Sequence, residues 1–172
     1  MELGLLVLRV VVGALFVGHG AQKLLGLFGG HGVAGTAGFF DSIGLRPGRV
    51  HAIAAGGAET AGGLLLALGL LTPLAAVLIT AVMTAAIITL HLRNGVWATE
   101  NGFEYPLVLI AAAFAVTAIG AGDWSLDGVL DLDVAGAGWA LGALALGLLG
   151  GAGAAYSSRF SRGERTTPQP TA

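Results

Sequence analysis

The sequence predicts an all-α protein embedded in a membrane, and three observations lead there. Of its 172 residues, 55% are hydrophobic and 10% charged, with a mean hydropathy of +0.85. That is more apolar surface than one soluble core of this length can hide. Apolar runs cover residues 3–25, 50–71, 74–92, 105–121 and 134–155. Each approaches the ~20 residues that a helix rising ~1.5 Å per residue needs to cross ~30 Å of hydrocarbon. The runs are also continuous rather than alternating, which fits helices and not a transmembrane barrel.

The first run carries Arg9 within it and lacks the positive, apolar, small-residue order of a cleaved leader, so it reads as a retained helix. The linker at residues 26–49 spaces Val33, Thr36, Ala37, Phe39, Phe40 and Ile43 at helical intervals, which predicts a short amphipathic helix on the membrane or capping the bundle. Gly56, Gly57, Gly62 and Gly63 in the second run, and Gly13 and Gly20 in the first, form small-residue faces suited to close helix packing in lipid. A tight turn around Pro73 leads to the third run, and the fourth is the shortest. An acidic stretch follows, then a fifth run free of ionisable residues, and residues 157–172 read as a disordered basic tail. The organisation expected is a bundle over residues 1–127, the rest of the acidic loop and an extra helix over 128–156, and the tail.

Charge is sorted along this pattern. With five spans, Arg46, Arg49, Arg93, Arg159, Arg162 and Arg165 fall on one side, while Glu2, Asp123, Asp127, Asp131 and Asp133 fall on the other. By the positive-inside rule the protein sits in the cell membrane as a multi-pass protein with its N-terminus outside and C-terminus cytoplasmic. Cysteine is absent, which excludes disulfide exchange, thiolate nucleophiles and iron–sulfur ligation by the chain itself. There is no nucleotide-binding loop, HExxH or GxSxG motif, so the residues do not describe a self-contained enzyme. No sizeable basic face stands in water, which excludes nucleic acid.

The informative residues are ionisable groups inside the runs, because charge at the centre of a bilayer costs several kcal/mol by the estimate of about 3 from insertion scales. At ~100° per residue, Lys23 lies ~40° and His19 ~80° from Arg9, so the three share one wedge of the first helix. Glu59 is their natural counter-charge: His19 nearly matches it in depth and Arg9 can reach it from below, which makes Arg9 and Glu59 candidates for a buried ion pair. A second polar group gathers at the basic-side ends of the helices: Gln22, Lys23, His91, Glu104 and Tyr105. It suggests a vestibule in which His91 and Glu104 exchange protons or bind a headgroup. His31 and His51 read as exposed loop residues, and Trp97, Trp124 and Trp139 as interfacial anchors. His19, His91 and Glu104 lie on different helices with no ligand spacing, so no metal site is expected.

Several motifs in order, His19-Gly-Ala-Gln-Lys, Gly38-Phe-Phe-Asp, Gly69-Leu-Leu-Thr-Pro, His91-Leu-Arg-Asn-Gly and Gly102-Phe-Glu-Tyr-Pro, resemble those of the DoxX family of small bacterial and archaeal membrane proteins. The resemblance runs from about Leu5 to Asp127 and implies a four-helix membrane bundle, here with an additional fifth helix. It carries over His19, Gln22, Lys23, His91, Asn94, Gly95, Glu104, Tyr105 and Pro106. Founding members were described with a thiosulfate:quinone oxidoreductase, others with oxidative and thiol stress. The resemblance therefore implies an accessory subunit of a membrane redox system whose polar cluster binds a quinone-like or lipid headgroup or holds a partner, the candidate partners being lipids, a redox protein and further copies of the chain and the candidate cofactor a quinone. The alternative is a small transporter or lipid-handling protein gated by protonation of Glu59 or His91.

Overall fold

Among the described residues, 2–160 of this computed structural model, five long helices carry the apolar runs. They are α1 (Glu2–Leu25), α3 (Gly48–Leu68), α4 (Thr72–Ala86), α5 (Glu104–Ile119) and α7 (Ala137–Phe160), with short helices α2 (Gly32–Ser42) and α6 (Leu126–Val129) between them. The last helix runs past Ser157, so the first four residues of the expected tail are helical. The remainder of that tail, 161–172, lies outside the described residues.

Small residues set the packing. A Cβ at Gly13 would fall on the Gly63 carbonyl and Ala67, and one at Gly20 on Thr60 and the Gly56 carbonyl. Paired this way, residues 13 with 63 and 20 with 56, α1 and α3 are antiparallel with their backbones in contact, as small-xxx-small faces allow in lipid. Gly57, expected to share that face, has open space around it. On the other side of the bundle, Gly147 lies against Thr80 and Gly151 against Ala81 and Thr84, so α7 runs parallel to α4. The fifth helix is thus no appendage: its Ala143 joins Phe16, Leu66, Ile79, Leu109 and Val116 in one core.

Direction alternates along the chain. Glu2 accepts a 2.6 Å hydrogen bond from the Asp123 backbone, which puts the start of α1 beside the loop before α6. Gly136 N–H donates to the Thr117 carbonyl, so α5 ends where α7 begins. The opposite ends of α1, α4 and α5 all border one cavity. The four stretches Glu2–Leu25, Gly48–Leu68, Thr72–Asn94 and Ala137–Ser157 are long and apolar enough to cross a membrane, while α5, expected as the fourth and shortest of five spans, has 16 residues. Leu3, Val7 and Val11 of α1 and Leu141 and Leu149 of α7 are exposed, as side chains that meet lipid would be.

The α3–α4 turn is built on a residue the sequence reading left in the acidic loop. Gly69 closes α3 in the left-handed conformation, and Leu71 follows with φ 47°, a conformation unfavourable for leucine. Asp127, buried, holds it there by accepting from Leu71 N–H (2.7 Å), Thr72 N–H (3.0 Å) and Thr72 Oγ1–H (2.6 Å). The two backbone N–H groups are donors that the start of α4 leaves without an intrahelical partner. Asp127→Ala is expected to cost about 3 kcal/mol by orphaning them, while Asp133→Ala, on an exposed residue with no left-handed backbone, leaves stability unchanged. Thermal unfolding in detergent checks this, and equal midpoints for the two variants would refute the capping role.

Candidate functional site

The α1 motif places His19, Gln22 and Lys23 at positions i, i+3 and i+4, one face of a helix. Because Gly20 and Gly56 bring α1 against α3, the side chain of Lys23 crosses directly to Glu59, with Nζ 2.7 and 2.8 Å from the two carboxylate oxygens. Only 4% of the Glu59 side chain is exposed against 24% for Lys23, so the carboxylate is the more deeply buried partner. The expected Arg9–Glu59 pair is not formed. Arg9, 1% exposed, donates from its guanidinium to the Trp124 carbonyl at 2.7 Å, packs against Gly69 and Ser125, and has Glu2 and Asp127 as its nearby charges. The reason is axial: Arg9 lies nearly four turns from Lys23, at the acidic end, where it joins α1 to the turn and loop that Asp127 organises.

Above the ion pair opens a cavity of about 790 Å³ lined mainly by apolar side chains of α1, α2, α3, α4, α5 and α7. All four histidines of the chain, His19, His31, His51 and His91, border it. His31 is exposed as expected, whereas His51 is half-buried in the first turn of α3 rather than in a loop. The short helix α2 covers one side, with Phe40 buried against Leu45 and Ala52 and Thr36 and Phe39 turned to the cavity. Asp41 ties α2 to the start of α3 by accepting from Gly48 N–H at 2.9 Å.

Beyond Ala86 the helix continues as a π-helical turn, Ile87–His91, whose Thr89, Leu90 and His91 reach the cavity. Such turns insert a residue into the helical register, and they recur at functional sites. His91 Nδ1 lies 2.8 Å from the Asn101 carbonyl, which also accepts from Asn94 Nδ2 at 3.2 Å. Glu104, expected to exchange protons with His91, instead accepts from Ala98 N–H at 2.9 Å and pins the loop between α4 and α5. Tyr105 borders the cavity half-exposed. The structure thus gathers His19, Gln22, Lys23, Glu59, His91 and Tyr105, keeps Asn94 as a positioning group, and leaves Arg9 and Glu104 outside. The indoles of Trp97, Trp124 and Trp139 are exposed. No group of three or more ligating side chains able to hold a metal ion occurs among the described residues.

A bundle of apolar helices of membrane-crossing length, with an apolar cavity ending on a buried ion pair and imidazoles, defines a helical membrane protein. The DoxX family model matches residues 4–92, and the chain belongs to that family. It is also 37% identical over 116 residues, 67% of this chain and 80% of the relative, to a Bacillus subtilis (strain 168) protein named "Putative oxidoreductase CatD". No solved structure matches.

Removing one partner of the ion pair separates its two roles. Lys23→Met strands a buried carboxylate and is expected to cost about 3 kcal/mol, whereas Glu59→Gln leaves a lysine whose side chain is 24% exposed and can turn to water, and costs about 1. Unfolding of purified variants in lipid measures both, and the reverse order would contradict the burial asymmetry.

Proposed function

We propose that this protein is an accessory membrane subunit of a redox system, and that its cavity holds the headgroup of a quinone-type carrier. The observation that carries the reading is the cavity itself: about 790 Å³, walled by apolar side chains, with polar groups concentrated at Lys23–Glu59, His19 and His91. A ring with polar oxygens and a long apolar tail matches such a wall, and a chain without cysteine needs a bound carrier for redox work. The relative's name points to the same class of chemistry. On this reading the chain turns over substrate only with a partner protein.

The test is to transfer wild type, Lys23→Met and Glu59→Gln from membranes into nanodiscs and quantify extracted isoprenoid quinone per chain. About one quinone per wild-type chain, reduced in Lys23→Met, is expected. Phospholipid alone in all three would favour lipid handling and overturn the redox reading.

The same proposal places five crossings in the membrane, with the acidic end outside and the cavity end, flanked by Arg46, Arg49 and Arg93, at the cytoplasmic face. At ~1.5 Å per residue α5 covers about 24 Å, and its ends lie level with those of α4 through Tyr105 beside the cavity and Ile119 beside Thr72. Since the chain has no cysteine, single cysteines report cleanly. In intact cells an impermeant maleimide should label Asp131→Cys and spare Arg93→Cys. Labelling of both from outside would remove the five-crossing arrangement.

A further inference from the structure

We infer that the cavity prefers the reduced, hydroxyl-bearing form of its ligand, because two of its imidazoles are locked as hydrogen-bond acceptors; this rests on the quinone reading above. Chemistry dictates where the ring protons sit. A backbone carbonyl can only accept, so His91 Nδ1, 2.8 Å from the Asn101 carbonyl, must carry the proton. A neutral imidazole has a single N–H, which leaves His91 Nε2 with a lone pair and no hydrogen. Asn94 Nδ2 donates to that same carbonyl and holds it in place.

His19 reaches the same state by another route. Gln22 Nε2 donates to the Phe28 carbonyl at 3.1 Å, which fixes the amide and turns its oxygen toward His19 Nδ1, also at 3.1 Å. That oxygen accepts, so His19 Nδ1 donates and Nε2 again bears the lone pair. The Gln22 backbone is itself packed against Gly30, where a Cβ would overlap it. Neither Nε2 has a protein partner among the described residues, and both rings border the cavity.

Several donors nearby are already engaged. Lys23 reaches both Glu59 oxygens and keeps a third N–H, Thr36 and Thr89 donate to the Lys23 and Ala85 carbonyls, and of the other two imidazoles at the cavity His51 Nε2 lies 3.5 Å from Ser157 Oγ while His31 can turn either ring nitrogen inward. The Tyr105 hydroxyl can turn either way. A quinone offers carbonyl oxygens, which would meet these two nitrogens lone pair to lone pair. A quinol offers two O–H groups, each of which an imidazole Nε2 accepts. Both histidines stand out in the sequence, but their tautomers are set by the Asn101 and Phe28 carbonyls, which only the fold brings near them.

The expected preference is at least tenfold, which raises the midpoint of a bound two-electron couple by about 30 mV. The test uses the full chain in phosphatidylcholine nanodiscs, with a decyl-substituted dimethoxybenzoquinone and its quinol titrated separately without oxygen. Wild type should bind the quinol at least tenfold more tightly. In His19→Phe and in His91→Phe, each checked for an unchanged melting profile, the ratio should fall toward one with quinone affinity nearly constant. If either phenylalanine variant fails to fold, Gln22→Leu, which frees the His19 ring to change tautomer, should lower the ratio instead. Equal wild-type affinities, or a preference that survives in the folded variants, would overturn this inference and leave the quinone reading standing. Failure of both forms to bind would remove the quinone reading and the inference with it.

Discussion

The contact between Lys23 and Glu59 is the constraint on which the site depends, and it exists because α1 and α3 touch through glycine. Gly20 lies on Thr60 and the Gly56 carbonyl, and Gly56 lies against Lys23 Cβ and Leu24. With larger residues at 20 and 56 the helices would part, and a carboxylate on so short a side chain would be left inside the membrane without its counter-charge. An uncompensated buried charge costs several kcal/mol, about 3–5. The pair thus links backbone packing to chemistry: glycine allows the approach, the approach permits the ion pair, and the ion pair lets one end of an otherwise apolar cavity be polar.

The two ends of the bundle are built differently. At one end Arg9 binds the Trp124 carbonyl, Glu2 binds the Asp123 backbone and Asp127 closes the α3–α4 turn, so the loop after α5 is tied to α1, α3 and α4 at once. At the other end the helices enclose space, and the polar side chains there turn to neighbouring carbonyls or to the cavity. Charge joins elements at both ends, but only at the second does it also border a volume. The π-helical turn of α4 belongs to this second end, carrying His91 into the wall while its ring is anchored on the following loop.

Much of the fold was legible because lipid permits few backbone solutions: long apolar runs must be helices, and the glycine faces at 13, 20, 56 and 63 told which helices meet. The α1 part of the site was legible for the same reason, since His19, Gln22 and Lys23 fall on one helical face. The partner of Glu59 was not. A helical wheel gives the angle of Arg9 but not its height against a neighbouring helix, and Lys23 wins because it is level with Glu59. Asp127 looked like one of four acids in a loop, and only the turn it caps sets it apart. Glu104 looked like a partner for His91, but the tight loop before α5 claims its carboxylate through Ala98 N–H. The fifth helix looked appended, yet Gly147 and Gly151 seat it on α4.

Lys23 is the only lysine in the chain, so labelling lysine with nitrogen-15 at Nζ marks one atom. A solid-state magnetic-resonance distance from that atom to carbon-13-labelled glutamate carboxyls, in lipid bilayers, measures the ion pair where it operates. The account predicts a contact-pair distance, in keeping with Nζ to oxygen separations of 2.7 and 2.8 Å, that disappears in Glu59→Gln. A Lys23 nitrogen remote from every carboxyl carbon, or a close contact that persists in Glu59→Gln, would contradict it.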